Sequence, residues 1–291
     1  MNSVIVKFFR GNIPLSRRFL LVFLILIGGY IIFNNLGVNP LSTDSYVYAN
    51  ISKSMVQNND FITMTFVGRP FFGDSKGVLL YWLAAISGWL FGFNSFSMKL
   101  PAAIICFVCV LFMFLVLEKH YDYKFAFISS AILLLTQQFL YNARSLLPDG
   151  IFAALFAFSA VSFYFAVSKN KIVYYYSFTF FLALCVLIRQ SLGLMVLPLV
   201  FCYALSLPDR KKIFTNKHLY LSCLSAAVLV LPWYIAAYKI YGEIFLKEYL
   251  ATTYKILTGA SGVRSSFSSS PWYTYINILA ANYEPWLIFA L

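Results

Sequence analysis

The sequence predicts an all-α polytopic membrane protein, on three observations. Hydrophobic residues make up 61% of the 291 residues and aromatic residues 20%, while charged residues fall to 11%, against about 25% in an ordinary soluble domain. The mean hydropathy is +0.79. Apolar runs of spanning length recur along the chain, with the few charges gathered between them. A water-soluble globule, a nucleic-acid-binding domain and a disordered chain are excluded at this step. The net charge of +12 therefore reads as loop charge under the positive-inside rule, with no nucleic-acid partner.

The elements follow in order. Lys7, Arg10, Arg17 and Arg18 precede an apolar run from Phe19 to Phe33. No small-x-small cleavage site follows, so the run reads as an uncleaved first span behind a cytoplasmic N-terminus at 1–18. A span needs about 20 mostly apolar residues. Further spans are expected at 99–117, 124–141, 150–167, 172–188, 191–207 and 219–238, and another begins at Pro285-Trp286. The total is about 7–8.

The run 77–93 decides the topology. Its 17 residues make about 25 Å of helix, short of a hydrocarbon core of about 30 Å. If it does not cross, segments 1–18, 118–123 (with Lys124 at the border), 168–171 and 208–218 lie inside, with 12 Lys and Arg against three acids. If it crosses, Arg210, Lys211, Lys212 and Lys217 move outside, against the positive-inside rule. The run therefore reads as a re-entrant or interfacial helix, with a short ordinary span as the alternative. The five cysteines all lie in apolar runs and read as packing. Cys106-x-x-Cys109 has no second pair and no nearby histidine.

On this topology Asp44, Lys76, Arg144, Asp149, Arg189, Glu243 and Arg264 share the outer face. Ionisable groups are costly at membrane depth and mark functional sites. In the outer loop 37–98, Asp44 starts a stretch that places Val47, Ile51 and Met55 on one apolar helical face, the pattern of a helix lying on the membrane. Asp44 is then either a helix cap or a catalytic group. Lys76, where the chain re-enters the apolar layer, either holds a phosphate or snorkels to headgroups. Asp149 reads as an N-cap, as the partner of Arg144, or as part of a site. Arg189-Gln190 either marks a helix turn or reaches toward a phosphate. The outer loop 239–284 carries Glu243 and a Gly/Ser-rich stretch around Arg264, suited to a loop over a site or to a linker. No P-loop, Rossmann fingerprint or nucleophile elbow is present. His120 and His218 fall in inner loops, so no histidine-ligated zinc is expected on the outer face.

Several stretches form an ordered set: Asp44-Ser45-Tyr46, Lys76-Gly77-Val78-Leu79-Leu80-Tyr81-Trp82-Leu83, Leu90-Phe91-Gly92-Phe93-Asn94 and Lys99-Leu100-Pro101. Arg144 with Asp149, Leu231-Pro232-Trp233-Tyr234, Gly242-Glu243 and Pro285-Trp286 complete it. The set resembles the bacterial membrane glycosyltransferases of the dolichyl-phosphate-mannose protein mannosyltransferase-like superfamily, in the branch containing the lipid A aminoarabinose transferase. The resemblance implies one GT-C-like transmembrane domain over 19–291, in the bacterial inner membrane with the site on its outer, periplasmic face. It implies transfer of a sugar from a polyprenyl-phosphate donor to a lipid, glycan or protein acceptor.

In that reading Asp44 is the general base, with Asp149 in support. Lys76, with Arg189 and Arg264, holds the donor phosphate. Arg144, Tyr81 and Glu243 support the substrate site. No cofactor is named, and a divalent cation is left open. Two prolines of the family pattern are replaced by Gly77 and Val78, and an acidic partner by Ser45. Family members continue through further spans and often a soluble outer domain, so a C-terminally truncated form is expected. A lipid or solute transporter and an inactive truncated homologue are the alternatives.

Overall fold

The computed structural model describes residues 16–71, 76–208 and 210–245, which are helical almost throughout. Helix α1 (Arg17–Phe33) is capped by Ser16, whose Oγ accepts from the Phe19 N–H at 3.2 Å. Then come α2 (Thr43–Gln57), a small hairpin of β1 (Thr65–Phe66) on β2 (Arg69–Pro70), α3 (Val78–Phe91) and α4 (Ser95–Leu117). They are followed by α5 (Tyr123–Leu135), α6 (Gln137–Ala143), α7 (Pro148–Lys169) and α8 (Ile172–Arg189). A 3-10 turn at Gln190–Met195 leads into α9 (Val196–Ser206), and α10 (Arg210–Phe214) precedes α11 (Lys217–Tyr241).

By length and composition, four helical stretches among the described residues can cross a membrane: Ser95–Leu117, Pro148–Lys169, Ile172–Ser206 and Lys217–Tyr241. A fifth arises if α5 and α6 are one span, but Thr136 is extended and the pair bends by 69°. The expected count of 7–8 is thus not reached on this criterion. Helix α1 has 17 residues, and the stretch at Pro285-Trp286 lies outside the described residues. The 35-residue run Ile172–Ser206 is not one rod. Straight, it would extend about 52 Å, yet residues from both its ends, Asn170, Tyr175, Leu207 and Lys212, line one cavity. The chain reverses at Gln190, whose φ is +52°, and Gly193 lets the 3-10 turn press on α8: a Cβ there would lie 2.4 Å from the Cys185 backbone.

Side-chain contacts sort the loops into two ends. At one end Arg17 forms a bidentate ion pair with Glu118, at 2.6 and 2.7 Å. The His120 ring packs on Tyr164 and Phe165, and the Asn216 amide donates to Asn170 Oδ1 at 3.3 Å. At the opposite end Lys99 donates to the carbonyls of Leu36 and Asn39, the Gly77 N–H donates to the Ile188 carbonyl at 2.9 Å, and the Trp233 indole donates to the Ile62 carbonyl at 3.2 Å. Helix α3 starts beside Ile188 and is followed directly by Phe93 and Asn94, which share a cavity wall with Pro40, Tyr46 and Lys53. Both its termini lie at this second end, and its 14 residues make only about 21 Å.

Burial follows from this arrangement. A larger core joins α2, α3, α7, α8, α9 and α11 around Tyr48, Tyr81, Phe163 and Phe178. A smaller one joins α1, α4 and α5 around Leu24, Val110 and Phe114. The outward faces carry exposed apolar side chains such as Val22, Leu26, Leu224, Val228 and Ile235, the surface a lipid-facing helix presents. All five cysteines are free, with Cys106, Cys109 and Cys185 buried.

Candidate functional site

Helix α2 is pinned by its first turn. Ser42 is the N-cap and its Oγ accepts from the Ser45 N–H at 3.4 Å. The cap expected of Asp44 therefore belongs to Ser42, and Asp44 sits exposed in the first helical turn, where a carboxylate favours the helix dipole. Ser45 is buried and donates to the Leu146 carbonyl at 3.2 Å. That bond ties α2 to the segment before α7. The serine in place of an acid thus has a structural use, because a hydroxyl donates to a carbonyl and an ionised carboxylate does not.

One turn further on, Tyr48 is buried and stands edge-on to Tyr81, with ring centroids 5.9 Å apart. Lys76 Nζ lies 5.7 Å from the Tyr48 ring centroid, within cation–π reach. Behind Lys76 the chain passes hard against the end of α8. A Cβ on Gly77 would lie 1.9 Å from the Leu187 carbonyl oxygen. The Gly77 N–H also donates to Ile188, a bond that proline lacks the hydrogen to make. Glycine in place of the family's proline is thus required by this contact. The Gln190 amide donates to the Lys76 carbonyl at 3.5 Å, closing the junction from the other side.

Arg189 ends α8, where a cation suits the carbonyl end of the helix dipole. Its guanidinium donates to Asp149 Oδ1 and forms an ion pair with it. Asp149 follows Pro148 in the first turn of α7, whose N-cap is Leu147. The N-cap reading of Asp149 is therefore corrected, and so is its pairing with Arg144. Arg144 instead donates to the carbonyls of Ile31 (2.5 Å), Ile32 (2.9 Å) and Asn34 (2.8 Å), closing the C-terminus of α1.

The structure thus brings together Lys76, Tyr81, Asp149 and Arg189 from the expected set, and adds Tyr48 and Gln190. Tyr48 was missed because an aromatic residue on a helix face reads as core. Its spacing of four from Asp44 was the available signal. Glu243 is exposed just beyond Gly242, whose φ of +57° ends α11. Arg264 and the rest of the loop from 246 onward lie outside the described residues. Arg189 pairs with Asp149, and Lys76 precedes the N-terminus of α3, which has no side-chain cap; cations beside a free helix N-terminus suit a phosphate. His120 and His218 lie at the other end, and no group of three or more His, Cys, Asp or Glu comes together among the described residues.

The family described as dolichyl-phosphate-mannose-protein mannosyltransferase matches residues 75–235. A relative in Shewanella sediminis (strain HAW-EB3) is named undecaprenyl phosphate-alpha-4-amino-4-deoxy-L-arabinose arabinosyl transferase. It is 23% identical over 259 residues, 88% of this chain and 46% of its own length. An uncharacterized protein of Aquifex aeolicus (strain VF5) is 27% identical over 290 residues, 95% of this chain and 54% of its own. The chain spans about half the length of the curated relatives it matches. The crystal structure of ArnT from Cupriavidus metallidurans bound to undecaprenyl phosphate is similar with a TM-score of 0.76 at 14% identity, over 91% of this chain and 49% of that one. That likeness shows the fold.

Proposed function

Because the chain belongs to the dolichyl-phosphate-mannose-protein mannosyltransferase family, we propose that it is a GT-C glycosyltransferase moving a sugar from a polyprenyl phosphate to a lipid, glycan or protein acceptor at the outer face of the inner membrane. The observation that carries this reading is the junction of α3 with α8, where the Gly77 N–H bonds the Ile188 carbonyl, Lys76 lies over the Tyr48 ring and Arg189 pairs with Asp149. The names of the arabinosyl transferase relative and of the ligand-bound structural neighbour support a polyprenyl phosphate as the donor.

In the proposed reaction an acceptor oxygen attacks the anomeric carbon as the carbon–oxygen bond to the lipid phosphate breaks. The bonding pair leaves on the phosphate oxygen, and Lys76 and Arg189 offset the charge that develops there. Asp149 holds Arg189 in place through their ion pair and acts as a positioning residue. Asp44 takes the proton of the acceptor, and its exposure leaves it accessible from solvent. A single displacement of this kind inverts the anomeric centre. Arg264 joins the phosphate ligands and Glu243 the substrate site in this reading.

The test is transfer from labelled polyprenyl-phosphate sugars in membranes that contain the full chain. Asp44→Asn is expected to lower transfer by about a hundred- to ten-thousand-fold, the contribution of a general base, with membrane insertion intact. Undiminished transfer in that variant would remove Asp44 from the mechanism. Transport of the intact donor without cleavage would favour the transporter reading.

A further inference from the structure

The end of the bundle that carries this site holds a separate cavity of about 470 Å³, walled by the α1–α2 connection, the first turn of α2, α4 and α6. Asn39, Ser42, Ser45, Lys99, Gln137 and Arg144 are among its lining residues, and no Asp or Glu among the described residues lines it. Asp44 belongs to the helix that forms one wall but is not part of the lining. Lys99 is only 5% exposed. Its ammonium donates to the carbonyls of Leu36 at 3.3 Å and Asn39 at 2.7 Å, and Arg144 donates to three carbonyls at the end of α1.

Those acceptors hold both side chains in place, but they are neutral. The end of α1 offsets about half a unit of charge, and the N-terminus of α2 at the cavity wall adds about half a unit back. Two cations that repel each other therefore share a cavity that no carboxylate of the described residues lines. Burying like charges together is costly unless an anion joins them. Each retains N–H capacity beyond its carbonyl bonds, since an ammonium has three donors and a guanidinium five.

We propose that this cavity, distinct from the Lys76–Arg189 site, binds a phosphate-bearing group, such as an anionic lipid headgroup or free phosphate. The proposal goes beyond the glycosyltransferase reading and does not depend on it. Lys99 and Arg144 supply the charge, and the amides of Asn39 and Gln137 lie on the wall to complete the donor set.

The test uses the purified full chain in detergent, titrated with short-chain phosphatidic acid, with phosphatidylcholine and with inorganic phosphate, and read by native mass spectrometry and thermal shift. Gln137→Glu places a carboxylate on the wall without touching the Lys99 and Arg144 bonds. The position is the exposed first residue of α6, where an acid suits the helix. Saturable binding of phosphatidic acid or inorganic phosphate is expected, weakened about tenfold or more in Gln137→Glu by like-charge repulsion. Lys76→Gln is expected to leave the Gln137-sensitive binding unchanged. Preference for phosphatidic acid over both other probes assigns a lipid headgroup, and equal binding of inorganic phosphate assigns the free anion; either supports the site. Absence of saturable binding, insensitivity to Gln137→Glu, or loss in Lys76→Gln overturns it.

Discussion

Gly77 is where a single atom controls the candidate site. Its α-carbon faces the backbone of α8 at a distance that leaves no space for a methyl group, and the blocking atoms are backbone, which cannot rotate away. Gly77→Ala must push α3 off the end of α8, at a cost of about 1–3 kcal/mol for overpacking. The displacement separates Lys76 from Arg189. Affinity for undecaprenyl phosphate, measured on the purified chain, is expected to fall about tenfold or more while the helical content by circular dichroism is kept. Unchanged affinity would detach the α3–α8 contact from phosphate binding. Arg189 and Asp149 behave as a unit in the same sense. Asp149→Asn removes the ion pair but keeps a carbonyl acceptor for Arg189. It is expected to raise KM for the donor more than it lowers kcat, whereas loss of a proton acceptor would lower kcat alone.

Helix α1 is held at both ends by side chains distant in sequence, Glu118 at its start and Arg144 at its finish. A helix leaves its last four carbonyls without intrahelical partners, and Arg144 supplies donors to the carbonyls of Ile31, Ile32 and Asn34. Arg144→Gln is expected to cost about 1 kcal/mol for partly buried acceptors left unpaired, with faster hydrogen exchange confined to the last turns of α1 and to the segment before α2. A loss spread evenly over the bundle would contradict the clamp. The connection between α2 and α3 is held in a comparable way. The Trp82 indole donates to the Phe61 carbonyl at 2.7 Å and the Trp233 indole to the Ile62 carbonyl, so α3 and α11 grip one loop. Within it Asp60 accepts from the N–H groups of Ile62 and Thr63 and from the Thr63 hydroxyl.

At the scale of the whole molecule, a depressed carboxylate at each end of the described bundle links stability to pH. Arg17 hydrogen-bonds Glu118 and holds its carboxyl below the ordinary glutamate value of 4.5, against a smaller upward push from burial. Burial pushes Asp60 up, but the bonds from Thr63 and Ile62 together outweigh it and hold the carboxyl below the ordinary 3.8. A depressed carboxylate stabilises the fold fully above its unfolded value and loses that contribution as the pH falls through its folded value. Tm in detergent is therefore expected to fall as the pH drops below 4.5, and less steeply in Glu118→Gln. Added salt should shrink the Glu118 part, because the Arg17 side of the pair is open to solvent and screened. A Tm that rises on acidification would contradict both assignments. The apolar runs, the helical class and the gathering of Arg17, Glu118, His120, Asn170 and Asn216 at one end were legible from the amino-acid order, because hydropathy and loop charge are local properties that a membrane sorts directly. Lys76, Asp149 and Arg189 were legible as costly charges at an apolar boundary. Their partners were not: Asp149 joins Arg189 rather than Arg144, and Ser42 rather than Asp44 caps α2. The reversal at Gln190 and the need for glycine at 77 were equally hidden. Pairing and close approach depend on which helix ends meet, 40 residues apart for Asp149 and Arg189 and farther for Gly77 and Leu187, and only the packed bundle decides that.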